Sequence, residues 1–494
     1  KRDGMSSQPD YYRLMGLPRD ATFEEIRIAY FDAARRFHPD ANPDPQAKEQ
    51  FIALQAAYEV LSNSEKRKAY DSLIRKTEYK PAASINVQYS RSSVPRLDEQ
   101  QLVYVLVEII PTAELDEAKR PPLHLALVID RSTSMKGERM DMVKANVIQL
   151  IRKLSARDIL SVVAFSDRSE VVVPAAKVHD VEKMIDQITM LECKGGTEIY
   201  QGLYAAINQL RLHDGKNASR HVIILTDGQT YGDEEKCLEL TRKAAQESIV
   251  VSALGIGHEW NDAFLDHLAS LSGGNTLFVS TRRDLYRFME QKVNAMGSIY
   301  ATGLYFEFNI YPGAQLRYAI RLSPEVSPLP VSSPLMLGNL NYGRRQIVLF
   351  EFLLSEINQS AANARLANGF IRLEVPSDRR IAELPLSFSR PITTDIGPEL
   401  PPSEIVDAMA RLTLYRLQER ARSEVEAGNI AQATKHLQYL ASHLLSQGDR
   451  ELAHTVLVEA EHISQSHRFS KDGDKQIKYG TRALLLPISL ESYL

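Results

Sequence analysis

The run of residues 123–129, LHLALVI, constrains this chain more than any other stretch. A strand so uniformly hydrophobic reads as a central strand of a parallel sheet, covered on both faces. It ends in Asp130-Arg131-Ser132-Thr133-Ser134, which sets three oxygen side chains at alternate positions. A loop leaving the carboxyl end of such a strand lies where open α/β sheets bind ligands. Asp130, Ser132 and Ser134 offer only hard donors, so Mg²⁺ or Mn²⁺ suits them better than Zn²⁺.

Two later segments extend the set. Thr197 follows Gly195-Gly196 just before a helical pattern at 198–210, and Leu225-Thr226-Asp227-Gly228 ends another apolar strand at 221–225. Ser and Thr in loops are usually caps or turn formers. Three such pieces, in order and at strand ends, weaken that bland reading. Further apolar runs at Ile159–Phe165, 171–173, Ile249–Ile256 and Thr276–Val279 alternate with helical patterns at 140–154, 181–191, Glu234–Gln246 and 262–271, the mark of a doubly wound α/β unit. Gly255-Ile-Gly257 has Trp260 where a dinucleotide loop needs its third glycine, so Trp260 is read as packed beneath that loop.

The order Asp-x-Ser-x-Ser, then Thr, then Thr-Asp-Gly resembles the metal-ion-dependent adhesion site of von Willebrand factor A domains, over residues 122–297. The resemblance implies that Asp130, Ser132, Ser134, Thr197 and Asp227 surround one Mg²⁺, directly or through water. It also implies a last coordination position left for the carboxylate of a partner protein.

The amino terminus carries an independent signal. His38-Pro39-Asp40 separates two helical patterns, and Pro39 forces the turn between them. Ile26, Tyr30, Ala33, Ala34 and Phe37 on one side, with Phe51, Leu54, Ala57, Tyr58 and Leu61 on the other, have the spacing of an antiparallel helical hairpin. With Asp10-Tyr11-Tyr12 before and Lys66-Arg67-Lys68-Ala69-Tyr70-Asp71 after, the stretch resembles the J domain of Hsp40 (DnaJ-like) co-chaperones. The resemblance implies that His38, Pro39 and Asp40 stimulate an Hsp70-type chaperone, contacted through Arg27, Tyr30, Arg35 and Arg36. The chain departs from the family at Phe31 and Asp32, where two basic residues are common. Residues 5–74 hold nine Lys and Arg against eleven Asp and Glu, whereas steering toward an acidic partner calls for a basic face. Recruitment of Hsp70 and a J fold kept only as a scaffold therefore both remain open.

A net charge of −4 argues against a nucleic-acid partner. Two cysteines, Cys193 and Cys237, leave no room for a disulfide framework or a Cys-based metal site, and imply a reducing compartment. No apolar run reaches membrane length and residues 1–10 do not resemble a signal peptide, so no membrane partner and a cytoplasmic location are expected. The chain lacks a phosphate loop, a nucleophile elbow and a His-Glu-x-x-His helix, so it reads as a non-enzymatic adaptor. The alternative class is a metal-dependent hydrolase at Asp130 and Asp227, for which only His258 stands at the right edge and His221 at the wrong end of its strand.

The expected organisation is multidomain: a helical J domain at 5–74, a β-sandwich from 84–121 plus 301–395, an α/β von Willebrand A domain at 122–297 inserted in it, a three-helix bundle at 403–466 after Pro398–Pro402, and a tail at 467–494.

Overall fold

The computed structural model describes residues 11–18, 21–37, 45–76, 81–97, 99–113, 121–213, 218–230, 232–355, 362–378, 380–394, 397 and 399–485. At the amino terminus α1 (Tyr11–Leu14), α2 (Phe23–Phe37), α3 (Pro45–Leu61) and α4 (Ser64–Lys76) pack around Tyr12, Ile26, Leu54 and Leu61. A reciprocal cap starts α2: the Thr22 amide donates to the Glu25 carboxylate (2.6 Å) and the Glu25 amide to Thr22 Oγ1 (3.2 Å). Tyr12 ties α4 back to α1, donating to Asp71 (2.8 Å) and accepting from Arg67 (2.7 Å).

Three strands follow, β1 (Ala83–Tyr89), β2 (Val94–Pro95) and β3 (Gln101–Pro111). The chain then enters an α/β unit: β4 (Leu123–Asp130), α5 (Glu138–Lys153), β5 (Ile159–Phe165), β6 (Ser169–Lys177), α6 (Val181–Thr189), α7 (Ile199–Arg211), β7 (Ser219–Thr226), α8 (Glu234–Gln246), β8 (Ile249–Ile256), α9 (Asp262–Ser270), β9 (Thr276–Val279) and α10 (Arg282–Gly297). The sheet order is β6-β5-β4-β7-β8-β9. β4 is buried at every position, as its unbroken apolar sequence requires. One pair of strands departs from the parallel order, at a place where the sequence offers no helical pattern between 165 and 171. β5 and β6 form an antiparallel hairpin, because the three residues 166–168 are too few for a helical crossover.

β10 (Ile299–Ile310), β11 (Ala314–Ser323), β12 (Ser327–Leu329), β13 (Leu335–Asn341), β14 (Gln346–Leu354), β15 (Asn363–Val375) and β16 (Arg380–Thr393) complete two further sheets, β1-β3-β14-β11-β12 and β13-β10-β15-β16-β2. Val103 of β3 lies opposite Phe352 of β14, and Val107 opposite Val348. Strands from both sides of the α/β unit thus share one core, with Val105, Phe306, Phe350 and Phe388 at its centre.

Arg321 of β11 joins the sandwich to the α/β unit. The residue is 3 % exposed; its guanidinium donates to the carbonyls of Gly274 (3.0 Å), Leu337 (2.9 Å) and Gly273, and its Nε to the backbone carbonyl of Glu325 (3.0 Å). Gly273 (φ +74°) and Gly338 (φ +87°) bring two backbones together there, since a Cβ on Gly273 would fall 2.1 Å from the Gly338 nitrogen.

The carboxyl-terminal region forms α11 (Ser403–Glu426), α12 (Ile430–Gln447), α13 (Arg450–Ser466) and α14 (Lys471–Ala483). Ile405, Leu412 and Tyr415 of α11 cover the sandwich at Leu106, Ile320 and Leu349. Residues 486–494 lie outside the described residues, and the reading of 467–494 as a tail is corrected over Lys471–Ala483, because α14 is a helix that packs on the α/β unit. Its buried face carries Lys475, Lys478 and Arg482 beside Ile477 and Tyr479, so no apolar stripe announced it. Lys478 bonds Asp262 and pairs with Asp266 (2.8 Å), Arg482 forks onto Asp266 (2.8 and 2.7 Å), and Arg422 of α11 reaches Asp262 (3.0 Å).

The amino-terminal helices rest on the sandwich: Asp32 pairs with Arg365 of β15 at 3.0 Å, and Arg13 with Glu383 of β16. Among the described residues no helix is long and apolar enough to cross a membrane.

Candidate metal centre

The site is built where β4 and β7 end. Asp130 is the last residue of β4 and is fully buried. Its Oδ1 accepts the Ser132 amide at 2.8 Å, a turn that folds the loop back, and its Oδ2 accepts the Thr226 hydroxyl at 2.6 Å. Ser132 and Ser134 place their hydroxyls 2.9 Å apart, and Ser134 donates to Asp227 Oδ1 at 2.7 Å. The other oxygen of Asp227, Oδ2, is paired with Arg139 from the first turn of α5.

A second loop closes over the first. The Thr133 hydroxyl donates to the Gly195 carbonyl (2.8 Å) and the Lys194 amide to the Arg131 carbonyl (2.7 Å). The Gly196 amide donates to Asp167 Oδ1 at 2.8 Å, and a Cβ on Gly195 (φ +79°) would lie 2.5 Å from the same carboxylate. Two glycines are needed here because the loop presses on Asp167. Thr197 is 6 % exposed, and its hydroxyl sits 3.1 Å from where a Cβ on Gly228 would be.

The fold thus brings Asp130, Ser132, Ser134 and Asp227 into one hydrogen-bonded chain, with Thr197 against the Asp227-Gly228 turn. Burial pushes the Asp130 carboxyl up to about 6, against hydrogen bonds from Thr226 and Ser132, and the nearby Asp227 charge adds to the rise. Two buried carboxylates joined by hydroxyls, with no soft donor among them, fit a hard divalent cation. Sequence reasoning gave no role to Thr226, Asp167 or Arg139. Thr226 stood beside Asp227 in the quoted motif, whereas Asp167 and Arg139 carried no signal of their own.

Of the histidines weighed for hydrolysis, His221 is buried, 2.8 Å from Ser219 and 3.1 Å from Asn339, with burial pushing it down to about 3. His258 pairs with Asp472 of α14 at 2.7 Å. Trp260 is 2 % exposed and donates to the Gly257 carbonyl at 2.8 Å.

In the amino-terminal unit Tyr30 stacks on Tyr58, with centroids 4.2 Å apart, and Arg27 is exposed and bonded to Glu24 at 2.7 Å. Arg35 is exposed. The Arg36 side chain and His38, Pro39 and Asp40 lie outside the described residues.

Comparison with known families decides what these units are. Residues 10–71 match the DnaJ domain and residues 124–291 the von Willebrand factor type A domain. The chain is a DnaJ domain fused to a von Willebrand factor A (VWA) domain. Residues 403–487 match the Sll0103-like, C-terminal alpha-helical domain, which takes in α14 with the three helices before it. Over 389 residues the chain is 26 % identical to the uncharacterized protein sll0103 of Synechocystis sp., covering 76 % of this chain and 91 % of that one. Over 68 residues it is 50 % identical to the chaperone protein DnaJ 2 of Thermus thermophilus, 14 % of this chain and 24 % of the chaperone. The chain therefore spans about a quarter of that chaperone's length. Its fold is similar to the von Willebrand factor type A protein from Catenulispora acidiphila (TM-score 0.62, 15 % identity, covering 81 % of this chain and 96 % of that one). It is also similar to the ArnB paralog VWA2 from Sulfolobus acidocaldarius (TM-score 0.51, 15 % identity, 82 % and 98 %).

Proposed function

We propose that this protein is a non-enzymatic adaptor whose VWA domain holds a Mg²⁺ ion that receives a carboxylate from a partner protein, while the DnaJ domain brings an Hsp70-type chaperone to that partner. The observation that carries the reading is the hydrogen-bonded chain Asp130–Ser132–Ser134–Asp227 at the carboxyl edge of the sheet. Asp130, Ser132, Ser134, Thr197 and Asp227 would hold the ion, which supplies a positive point of attachment there. Protein groups fix its place: Thr226 orients Asp130, Arg139 orients Asp227, and Asp167 holds the Thr197 loop. His221 and His258 are both engaged away from the cluster, which favours the adaptor over a hydrolase. Cys193 and Cys237 are both unpaired thiols, which suits the cytoplasm as the place of action.

Mg²⁺ at about 100 times its dissociation constant should stabilise the VWA domain by about 2.7 kcal/mol, a rise of about 5–10 °C in its melting temperature. Asp130→Ala should abolish the rise and the capture of partners that EDTA releases. Calorimetry of both proteins in Mg²⁺ and in EDTA tests this, and identical melting in all four conditions would refute the metal reading.

On the chaperone side, the chain should accelerate Hsp70 ATP hydrolysis in single-turnover assays, and His38→Gln should remove the acceleration. A second reading, a J fold retained as a scaffold, is favoured by one observation: Asp32, at a position where basic residues are common in the family, is engaged by Arg365 of the sandwich. An Hsp70 rate indifferent to His38→Gln would select it.

A further inference from the structure

Asp227 uses its two oxygens differently, and the difference points to a role for Arg139. This inference rests on the Mg²⁺ reading of the VWA site. Oδ1 of Asp227 accepts the Ser134 hydroxyl, and Oδ2 is paired with the Arg139 guanidinium. Asp227 is fully buried, whereas the Arg139 side chain stays 36 % exposed at the rim. Its seat is prepared. Gly257, with φ +67°, lies under the guanidinium, and a Cβ there would fall 3.1 Å from Nη2 and 3.3 Å from Cζ. Arg139 therefore spans from the buried carboxylate to the loop that follows β8, with Nη1 also 3.5 Å from the Ser134 carbonyl.

Charge balance gives the consequence. Asp130 and Asp227 bring two negative charges to the hydrogen-bonded cluster and Arg139 returns one positive charge, while the Asp167 carboxylate is bonded to the Gly196 amide of the neighbouring loop rather than to the cluster. A divalent cation then leaves the site with an excess positive charge that a single carboxylate would neutralise. We infer that Arg139 makes cation binding and carboxylate binding cooperative: it weakens the cation held by the protein alone and strengthens the hold on an anionic partner group once the cation is present. A like charge this close to a divalent ion, in a half-exposed setting, is expected to weaken binding by about ten-fold. By linkage, a carboxylate that relieves the excess tightens the cation by a similar factor. A partner without an acidic group should then fail to hold the metal-loaded site, so Arg139 sets specificity for acidic surfaces.

The test uses the full chain, Mn²⁺ as the cation and acetate as the carboxylate probe, with acetate exchanged against chloride at constant ionic strength. Calorimetric titration would compare the wild type with Arg139→Ala, Arg139→Gln and Arg139→Lys. For the wild type, acetate should tighten Mn²⁺ several-fold. Arg139→Ala and Arg139→Gln should bind Mn²⁺ about ten-fold tighter without acetate and gain little from it, while Arg139→Lys should behave as the wild type. Circular dichroism with melting in EDTA checks that the variants are folded, and the two neutral variants must agree. If both bind Mn²⁺ equally to or more weakly than the wild type, Arg139 serves only to orient Asp227. The inference then falls and the metal site stands. If no form binds Mn²⁺, the metal reading falls and this inference with it.

Discussion

Arg321→Ala is expected to cost about 3–5 kcal/mol and to lower the melting temperature by about 6–20 °C. The guanidinium is buried and satisfies carbonyls of Gly273, Gly274, Leu337 and Glu325, which belong to both the VWA domain and the sandwich. Alanine would leave the Gly273, Gly274 and Glu325 oxygens without this donor, the Leu337 carbonyl keeping Gln346 Nε2 at 2.6 Å, and would open a cavity between the two units. Arg321→Lys keeps the charge but loses the planar fork, so it should recover only part of the loss. Scanning calorimetry should show the VWA and sandwich transitions drawing apart in Arg321→Ala. A single transition within a degree of the wild type would show that the two units are held by something other than this side chain.

The second large effect lies where α14 docks on α9 of the VWA domain. Asp266→Ala should remove the carboxylate partner of Arg482, leaving it only the Tyr415 hydroxyl at 3.3 Å among the described residues, and one of the two carboxylate partners of Lys478; the two side chains are 4 % and 8 % exposed. Breaking a buried ion pair from one side costs about 3–5 kcal/mol, because the remaining charge stays buried without compensation. Here the loss should appear as undocking of the carboxyl-terminal helices. The chain carries its own reporter, since Trp260 is the one tryptophan and Lys475 of α14 lies 4.1 Å over its ring. Its emission should shift to the red at lower urea in Asp266→Ala than in the wild type.

Acid should act on the same contact. Burial pushes both Asp262 and Asp266 up, but Lys478 with Arg422 at the first, and Arg482 with Lys478 at the second, outweigh it and hold both carboxyls below the usual range. A carboxyl depressed in the folded state stabilises fully above its unfolded value of about 4, and that stability drains away as pH falls below it. Docking should therefore be constant from neutral pH down to about 4 and weaken below it. Red-shifted emission already at pH 6 would contradict this.

How much of this was legible beforehand depended on whether the determining residues were neighbours in the chain. β4 and its Asp130-x-Ser132-x-Ser134 loop could be read because strand, turn and ligand types are contiguous, and Thr226-Asp227-Gly228 because it ends a strand of the same kind. Arg139 could not be, because a basic residue in the first turn of a helix is ordinarily a solvated one. The seat over Gly257 and the Ser134 carbonyl aim it at Asp227. α14 was missed for a related reason: its buried positions are lysines and arginines whose partners, Asp262 and Asp266, stand more than 200 positions earlier. Hydrophobic periodicity detects burial among apolar atoms and is blind to burial by ion pairing. The direction of β6 is not legible in its sequence, because a three-residue run at 171–173 looks the same in either topology.

The pairing of β3 with β14 carries a consequence for how the protein is made. Val103 and Phe352 meet across about 250 positions of chain, and closing a flexible loop of that length costs about 5 kcal/mol in entropy beyond a constant. A VWA domain that folds first turns most of that loop into a rigid body and removes most of the cost. At about 5–20 residues per second, β3 leaves the ribosome some 12–50 s before β14 is available. During that interval its apolar face and one unpaired edge stand open, ready to pair with another nascent chain. The inserted domain that carries the candidate metal site is therefore also the element that decides whether the sandwich closes on itself, and a lesion that slows VWA folding should show first as aggregation during synthesis.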